Sequence, residues 1–403
     1  MITIDQHLGR ILAAAAPVPA VTVELAQAGG RVLAEDVHSR WPVPLFDNSA
    51  MDGYAVRGAD AMVGARLRVV GDVPAGSADD PPIGPGEAVR IMTGAAVPAD
   101  ADAIVPLEAT DLGIDGVAAA PEWIAVTTAS RPGAHIRRRG EDAPAGALTV
   151  AAGTELGPWQ LSAVASAGHD RVQVHRAPRV AVVSTGSELV APSAEPGRGQ
   201  IPDSNSFLLA AALRAAGAEV CAAFTVPDDE RQLRAALAGF DVDAVVLSGG
   251  ASVGAFDVVR TVLGDGGDGA DVRFESVAMQ PGKPQGFGTA PDGTLLFCLP
   301  GNPVAVAVSF EMFVRPAIRR LAGHRDVLAP RVVRRAATSW RSPRHRDQLI
   351  PVIVDGETVR PAARGGSGSH LVASLADATA LALVPIGVDR VEAGDPVVVL
   401  ARA

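Results

Sequence analysis

The chain has 403 residues, with 45 acidic and 35 basic side chains and a formal net charge of −10. At roughly 150 residues per domain this length predicts two to four domains, and the acidic balance excludes a general nucleic-acid binder, which needs a basic face. The same balance gives no help in drawing in an anionic substrate, so any phosphate or oxyanion site must be locally basic or built from backbone amides.

Apolar residues make up 48% of the chain and aromatics only 4%, so its cores must be built mainly from Ala, Val and Leu. Two cysteines, Cys221 and Cys298, exclude a disulfide framework or a multi-Cys zinc site. Both lie in apolar runs, which predicts buried free thiols. The N-terminus lacks a basic region followed by an apolar core and a cleavage site. The Ala-rich run that follows is broken by Pro17 and Pro19 and is too short to span a membrane. A cytoplasmic protein without membrane contact is expected.

The periodicity predicts a short helix over residues 4–15, with Leu8, Ile11 and Leu12 on one face, and a second over 23–28 closed by Gly29-Gly30. From 41 to 139 short apolar runs (67–70, 88–91, 103–105) alternate with Pro- and Gly-rich turns, an all-β texture. Residues 133–157 hold further β-like turns, and 158–167 reads as a helix with Pro158 in its first turn. After Pro178, strands at 179–184, 220–225, 243–248, 272–277 and 295–299 alternate with helices at 206–216, 229–238, 256–263 and 303–321. Continuous apolar strands separated by helices indicate a parallel α/β sheet covered on both faces. Residues 330–403 return to short β runs at 331–333, 348–354, 380–385 and 395–401, a small C-terminal β domain.

In an open α/β sheet, ligands bind beyond the carboxyl ends of the strands. Three polar, Gly-bearing loops follow such strands: Ser184-Thr185-Gly186-Ser187-Glu188, Ser248-Gly249-Gly250-Ala251-Ser252-Val253-Gly254 leading to Asp257, and Pro300-Gly301-Asn302-Pro303. Glycines bring backbone amides against phosphate oxygens, and the hydroxyls of Ser248, Ser252 and Thr185 add donors. None of these loops is a Walker or dinucleotide fingerprint. Glu188, Asp228, Asp229 and Asp257 fall on the same edge. Carboxylates beside a phosphate loop make sense when a cation such as magnesium bridges them, although Asp228 and Asp229 fit a helix N-cap equally well. Asp203-Ser204-Asn205-Ser206 precedes an apolar helix and suits either a cap or a ligand contact.

Lys283 is the sole lysine and Tyr54 the sole tyrosine. An arginine-rich chain replaces lysine wherever either cation serves. A surviving lysine therefore marks either chance or a place where a compact point charge is needed.

Taken in order, seven segments resemble the molybdopterin molybdenumtransferase family, which includes the E domain of gephyrin-like proteins. They are Asn48-Ser-Ala-Met-Asp-Gly-Tyr-Ala55, Ile91-Met-Thr-Gly94, Arg139-Gly-Glu-Asp142, Ser184-Thr-Gly-Ser-Glu-Leu189, the Ser248–Gly254 loop with Asp257, Pro281-Gly-Lys-Pro284 and Leu299-Pro-Gly-Asn-Pro303. The resemblance implies an elongated homodimer with four domains per chain: a connecting domain (1–40 with 140–177), a β domain (41–139), an α/β domain like the molybdopterin adenylyltransferases (178–327) and a C-terminal β domain (328–403). It implies magnesium-dependent cleavage of adenylylated molybdopterin, with release of AMP and loading of molybdate onto the dithiolene sulfurs.

Carried over position by position, Asp52, Thr93 and Asp142 match catalytic positions expected to reach a partner's sheet domain. Glu188, Asp228 and Asp257 match the acidic set, expected both to be catalytic and to hold the metal. Ser184, Thr185, Gly186, Ser248, Gly249, Gly250, Ser252, Pro300, Gly301, Asn302 and Pro303 form the expected substrate cradle. Lys283, Pro284, Arg346 and Ser369 match the molybdate site. Two departures stand out: Gln280 replaces a lysine common in relatives, and Ala305 replaces a serine. The same sheet type also serves molybdopterin adenylyltransferases, and relatives act as scaffolds, so adenylyl transfer and non-catalytic pterin binding are the competing readings. An adenylyltransferase and apo-molybdoenzymes are the further partners the resemblance implies.

Overall fold

The computed structural model describes residues 1–113, 119–249, 258–363 and 368–401. Its centre is a six-stranded sheet in the order Glu219–Val226, Arg179–Thr185, Ala244–Ser248, Leu295–Leu299, Pro284–Thr289, Asp271–Ser276. The first four strands are parallel. Pro284–Thr289 runs antiparallel to both of its neighbours, so the sheet is mixed at one edge rather than wholly parallel. Gly286 and Gly288 hide that strand in the sequence. A Cβ on Gly288 would lie 1.9 Å from the Asp271 carbonyl oxygen, so close strand approach requires glycine there.

Both faces of the three inner parallel strands are buried. Val180, Val182, Val246 and Phe297 join one core with the Ile4–Ala14 helix, the Asn205–Ala215 helix and the helical run from Pro303 to Leu321. Ala181, Val183, Val245 and Cys298 join the other core, under Glu230–Leu237 and Val258–Leu263. Burial on two faces is why these strands read as unbroken apolar runs. Cys298 is buried as expected, but Cys221 is exposed. It lies on the edge strand Glu219–Val226, most of whose residues face solvent.

The second expected helix is corrected as well. Ala20–Glu24 is a strand antiparallel to Arg171–His175, and only Leu25–Gln27 turns helically. The Val-Thr-Val run favours an extended backbone over a helix. A second pairing, Val37–His38 with Leu148–Val150, also joins the 20–38 segment to residues beyond 140.

The β region holds a five-stranded sheet in the order Ala103–Pro106, Gly53–Val56, Glu87–Ile91, Arg66–Val73, Trp123–Ala125. The Met51-Asp52-Gly53-Tyr54 motif is therefore a strand entry, and Tyr54 is fully buried. At the C-terminus, Asp347–Asp355 pairs with both Thr358–Pro361 and Ala380–Val384, which closes the sheet on itself. That closed sheet docks on the α/β region through Met279–Gln280, which pairs in parallel with Asp347 and Gln348. The same stretch holds the N-terminus: Ala278 N–H donates to the Ile2 carbonyl at 2.8 Å. Among the described residues no helix is long and apolar enough to cross a membrane.

Candidate functional site

A cleft of about 850 Å³ opens where the carboxyl ends of the parallel strands meet the C-terminal domain. Thr185 ends Arg179–Thr185 and Gly186 and Glu188 follow it, Gly249 follows Ala244–Ser248, and Pro300 to Pro303 follow Leu295–Leu299. All of them line it. The Pro-Gly-Lys-Pro segment supplies Lys283 and Pro284, and the C-terminal domain supplies Arg346 and Ser369.

The back wall is made of backbone. Gly249 has φ +92°, and a Cβ there would sit 2.3 Å from the Thr185 carbonyl oxygen. Gly301 lies against Gly249, whose Cα would be 3.4 Å from a Cβ on Gly301. The Gly301 carbonyl accepts a 2.7 Å hydrogen bond from Asn205 Nδ2. Three strand ends thus converge without intervening side chains, leaving space for a ligand.

Lys283 is exposed on the cleft, and Arg346 is half-buried. Neither side chain makes an ion pair or a hydrogen bond to another described residue. Their positive charge is therefore available to an anion, in a chain that is acidic overall. The turn that presents Lys283 is braced from beneath: Gln285 Nε2 donates to the Gly282 carbonyl at 2.8 Å and to Ser309 Oγ at 2.7 Å. Ser369 is placed through its carbonyl, which accepts from Val304 N–H at 3.1 Å and joins the C-terminal domain to the start of the Pro303–Ser309 helix.

Beyond the strands at the Glu219–Val226 edge, Glu188 and Asp228 are exposed and line the cleft. Asp228 is held by a reciprocal pair of bonds: its Oδ2 accepts from Ser187 N–H at 3.0 Å, and its own N–H donates to Ser187 Oγ at 3.1 Å. Asp229, in contrast, caps the next helix by accepting from Gln232 N–H at 2.8 Å. Asp203 is likewise a turn residue, with Oδ1 accepting from the Asn205 and Ser206 amides at 3.0 and 3.2 Å.

Several residues named from sequence are placed elsewhere. Ser184 and Ser248 are buried and bond each other at 3.0 Å across adjacent strands, so their hydroxyls tie the sheet and do not face the cleft. Asp52, Thr93 and Asp142 are exposed on the β and connecting regions and line no part of this cleft. Asp52 Oδ1 accepts from both the Thr93 backbone at 2.7 Å and its hydroxyl at 2.8 Å. These bonds, the backbone one foremost, hold the Asp52 carboxyl below the usual range. Gly250, Ser252 and Asp257 lie outside the described residues. Among the described residues no three His, Cys, Asp or Glu side chains gather into a metal site.

The cleft also contains residues outside the expected substrate, metal and molybdate sets, among them Asn205, expected as a cap or a ligand contact. Leu189, Ile201 and Pro202 form an apolar lip, and Asn205 lines the interior. Gln280 lines the cleft wall, and Ala305 lies buried in it.

A mixed α/β sheet with a strand-end cleft, closed by a C-terminal β domain that carries cationic residues, defines a multidomain α/β protein with a site for an anionic ligand. Family models for the MoeA N-terminal region (domains I and II), a probable molybdopterin binding domain and the MoeA C-terminal region (domain IV) match residues 2–168, 181–320 and 333–401. Molybdopterin molybdenumtransferase 2 of Mycobacterium tuberculosis is 44% identical over 93% of each chain. Molybdopterin molybdenumtransferase 1 of the same organism is 38% identical over 98% of this chain and 97% of its own. A solved MoeA protein of Pyrococcus horikoshii is 32% identical, with a TM-score of 0.81 over 100% of this chain and 99% of that one. The chain belongs to the molybdopterin molybdenumtransferase family, a transferase family of molybdenum cofactor biosynthesis.

Proposed function

We propose that the protein inserts molybdate into adenylylated molybdopterin in a magnesium-dependent reaction that releases AMP. The observation that carries this reading is the mixed charge of one cleft: Glu188 and Asp228 line it beyond the strands at one edge of the sheet, and Lys283, which precedes Pro284–Thr289 toward the other edge, lines it with Arg346, both free of ion pairs among the described residues. Its volume of about 850 Å³ suits a ligand of nucleotide size.

The donor chemistry fits magnesium. The cleft's metal-ligating side chains are carboxylates with no imidazole or thiol among the described lining, and magnesium is held by one or two carboxylates together with waters and substrate phosphates. When bound, the ion supplies positive charge against the phosphate oxygens. The chain's own groups do the rest. The Ser187 clasp fixes the Asp228 carboxylate. The Thr185–Gly249–Gly301 wall leaves backbone open to the substrate. Lys283, Arg346 and Ser369 hold the molybdate dianion for transfer to the dithiolene sulfurs. Asp52, Thr93 and Asp142 act from a partner subunit, since in their own chain they do not line the cleft.

Product analysis after mixing adenylylated molybdopterin, magnesium and molybdate tests this reading. AMP release together with reconstitution of an apo-molybdoenzyme is expected. Glu188→Ala and Asp228→Ala should each slow AMP release by about 100-fold, the scale on which losing a charge-stabilising group acts. Undiminished AMP release in both variants would sink the metal assignment. Transfer of AMP from ATP to molybdopterin by the wild type would favour adenylyl transfer instead.

A further inference from the structure

Asn205 is a cleft residue whose buried hydrogen-bonding group has no role in the proposed chemistry. It is 7% exposed and opens the Asn205–Ala215 helix. Asp203, one residue before the N-cap Ser204, already accepts from the Asn205 and Ser206 amides, so the Asn205 side chain is not needed at the helix start. Its Nδ2 donates to the Gly301 carbonyl at 2.7 Å. That bond fixes the amide, because the flipped form would set oxygen against oxygen. Oδ1 is thereby held as an acceptor, and it has no donor among the described residues. Thr185 Oγ1 is a second buried atom without a partner among them. It lies 2.9 Å from where a Cβ on Gly249 would stand. Thr185, Gly249, Gly301 and Asn205 therefore form one continuous wall with a hydrogen-bonding side chain at each end.

An unpaired buried acceptor is costly, and a ligand that donates to it recovers that cost. Molybdate and ionised phosphate are acceptors and leave Asn205 Oδ1 unmatched. A flat nitrogen heterocycle matches: its N–H groups meet the acceptor, and its face lies on glycine backbone that carries no side chains. Resting on the proposed reading of this cleft, we infer that Asn205, with Thr185, is the specificity-determining pair that receives the N–H edge of the substrate's heterocycle. The substrate offers two such sources, the pterin and the adenine.

The test is binding of molybdopterin (anaerobically), of 5′-AMP and of molybdate, each alone, to wild type, Asn205→Ala and Thr185→Val. Thr185→Val keeps the side-chain shape and leaves the Asn205–Gly301 bond intact, so it stays informative if Asn205→Ala disturbs folding. Loss of one buried hydrogen bond predicts about tenfold weaker binding of one heterocycle, with molybdate unchanged. A loss confined to molybdopterin assigns the wall to the pterin, and one confined to AMP assigns it to the adenine. Unchanged affinity for both, or an equal loss for molybdate, overturns the inference. Failure of the wild type to bind either heterocycle would instead overturn the proposed function.

Discussion

Gly249 approaches Thr185 so closely that a Cβ on it would stand 2.3 Å from the Thr185 carbonyl oxygen. The contact is with backbone and cannot be relieved by a rotamer change. Gly249 also has φ +92°, a conformation that L side chains rarely adopt. Gly249→Ala thus adds backbone strain to a clash, for a cost of about 2–5 kcal/mol. Urea unfolding of the variant should show that loss, together with loss of molybdopterin binding. A fully stable variant would mean the strand ends can part without penalty.

Lys283 reaches the cleft from a turn braced by Gln285, and no described residue neutralises it. Lys283→Ala should weaken molybdate binding by roughly 10- to 100-fold, the worth of one charge-assisted hydrogen bond. Lys283→Arg keeps the charge but replaces a compact ammonium with a planar fork, so recovery should be partial. Calorimetric titration with molybdate at fixed ionic strength reads both. Wild-type affinity in Lys283→Arg would make the sole lysine an accident of composition.

Gln280 pairs with Gln348 at the seam of the two domains and lines the same cleft. Gln280→Lys should add a cation beside Lys283 and Arg346. Because the position is partly open to solvent, the expected gain in molybdate affinity is modest, roughly two- to fivefold. The gain should shrink as salt is raised. No gain at low ionic strength would argue that residue 280 does not face the anion.

The buried parallel strands and their polar loops were legible because burial on two faces writes unbroken apolar runs, and each loop follows directly from a strand. The Pro284–Thr289 strand was not, because its required glycines look like loop residues. Ser184 and Ser248 show the limit of reading chemistry from residue type. Both stand at strand ends, but the pleat turns their hydroxyls toward each other. Asn205 was legible only as a possible cap or contact. Its role depends on the Gly301 carbonyl, 96 residues away, which periodicity does not reveal. The lone Lys283 was visible from composition, but the absence of a described counter-ion is a property of the fold.

Asp52 and Thr93 meet across 41 residues through two bonds to one carboxylate oxygen. Thr93→Val removes the hydroxyl bond and keeps the backbone one. The Asp52 carboxyl should then titrate at higher pH than in wild type, while still below its ordinary range, because the stronger influence remains. Carboxyl-carbon NMR resolves this directly. An unmoved midpoint would show that the hydroxyl contributes nothing to holding the charge.

His324 gives the fold an acid sensitivity whose sign can be fixed. It is buried, and its Nδ1 lies 3.0 Å from Arg319 Nη2, which can only donate, so the ring accepts there and is neutral. Glu155 stands farther off at 3.8 Å and does not outweigh this. Burial first, and the Arg319 charge second, push the imidazole down from 6.5 to about 4. Between those values the unfolded chain binds the proton more readily than the folded one. Stability is therefore full above about pH 6.5 and falls as pH drops toward about 4, by up to about 3 kcal/mol. Burial lowers His7 too, and it adds a slope of the same sign, so the contribution of His324 is read as a difference. His324→Leu removes the titrating group, and its unfolding free energy should vary less between pH 6.5 and 4 than that of wild type. Parallel curves for the two proteins would show that His324 is protonated at no cost in the folded state.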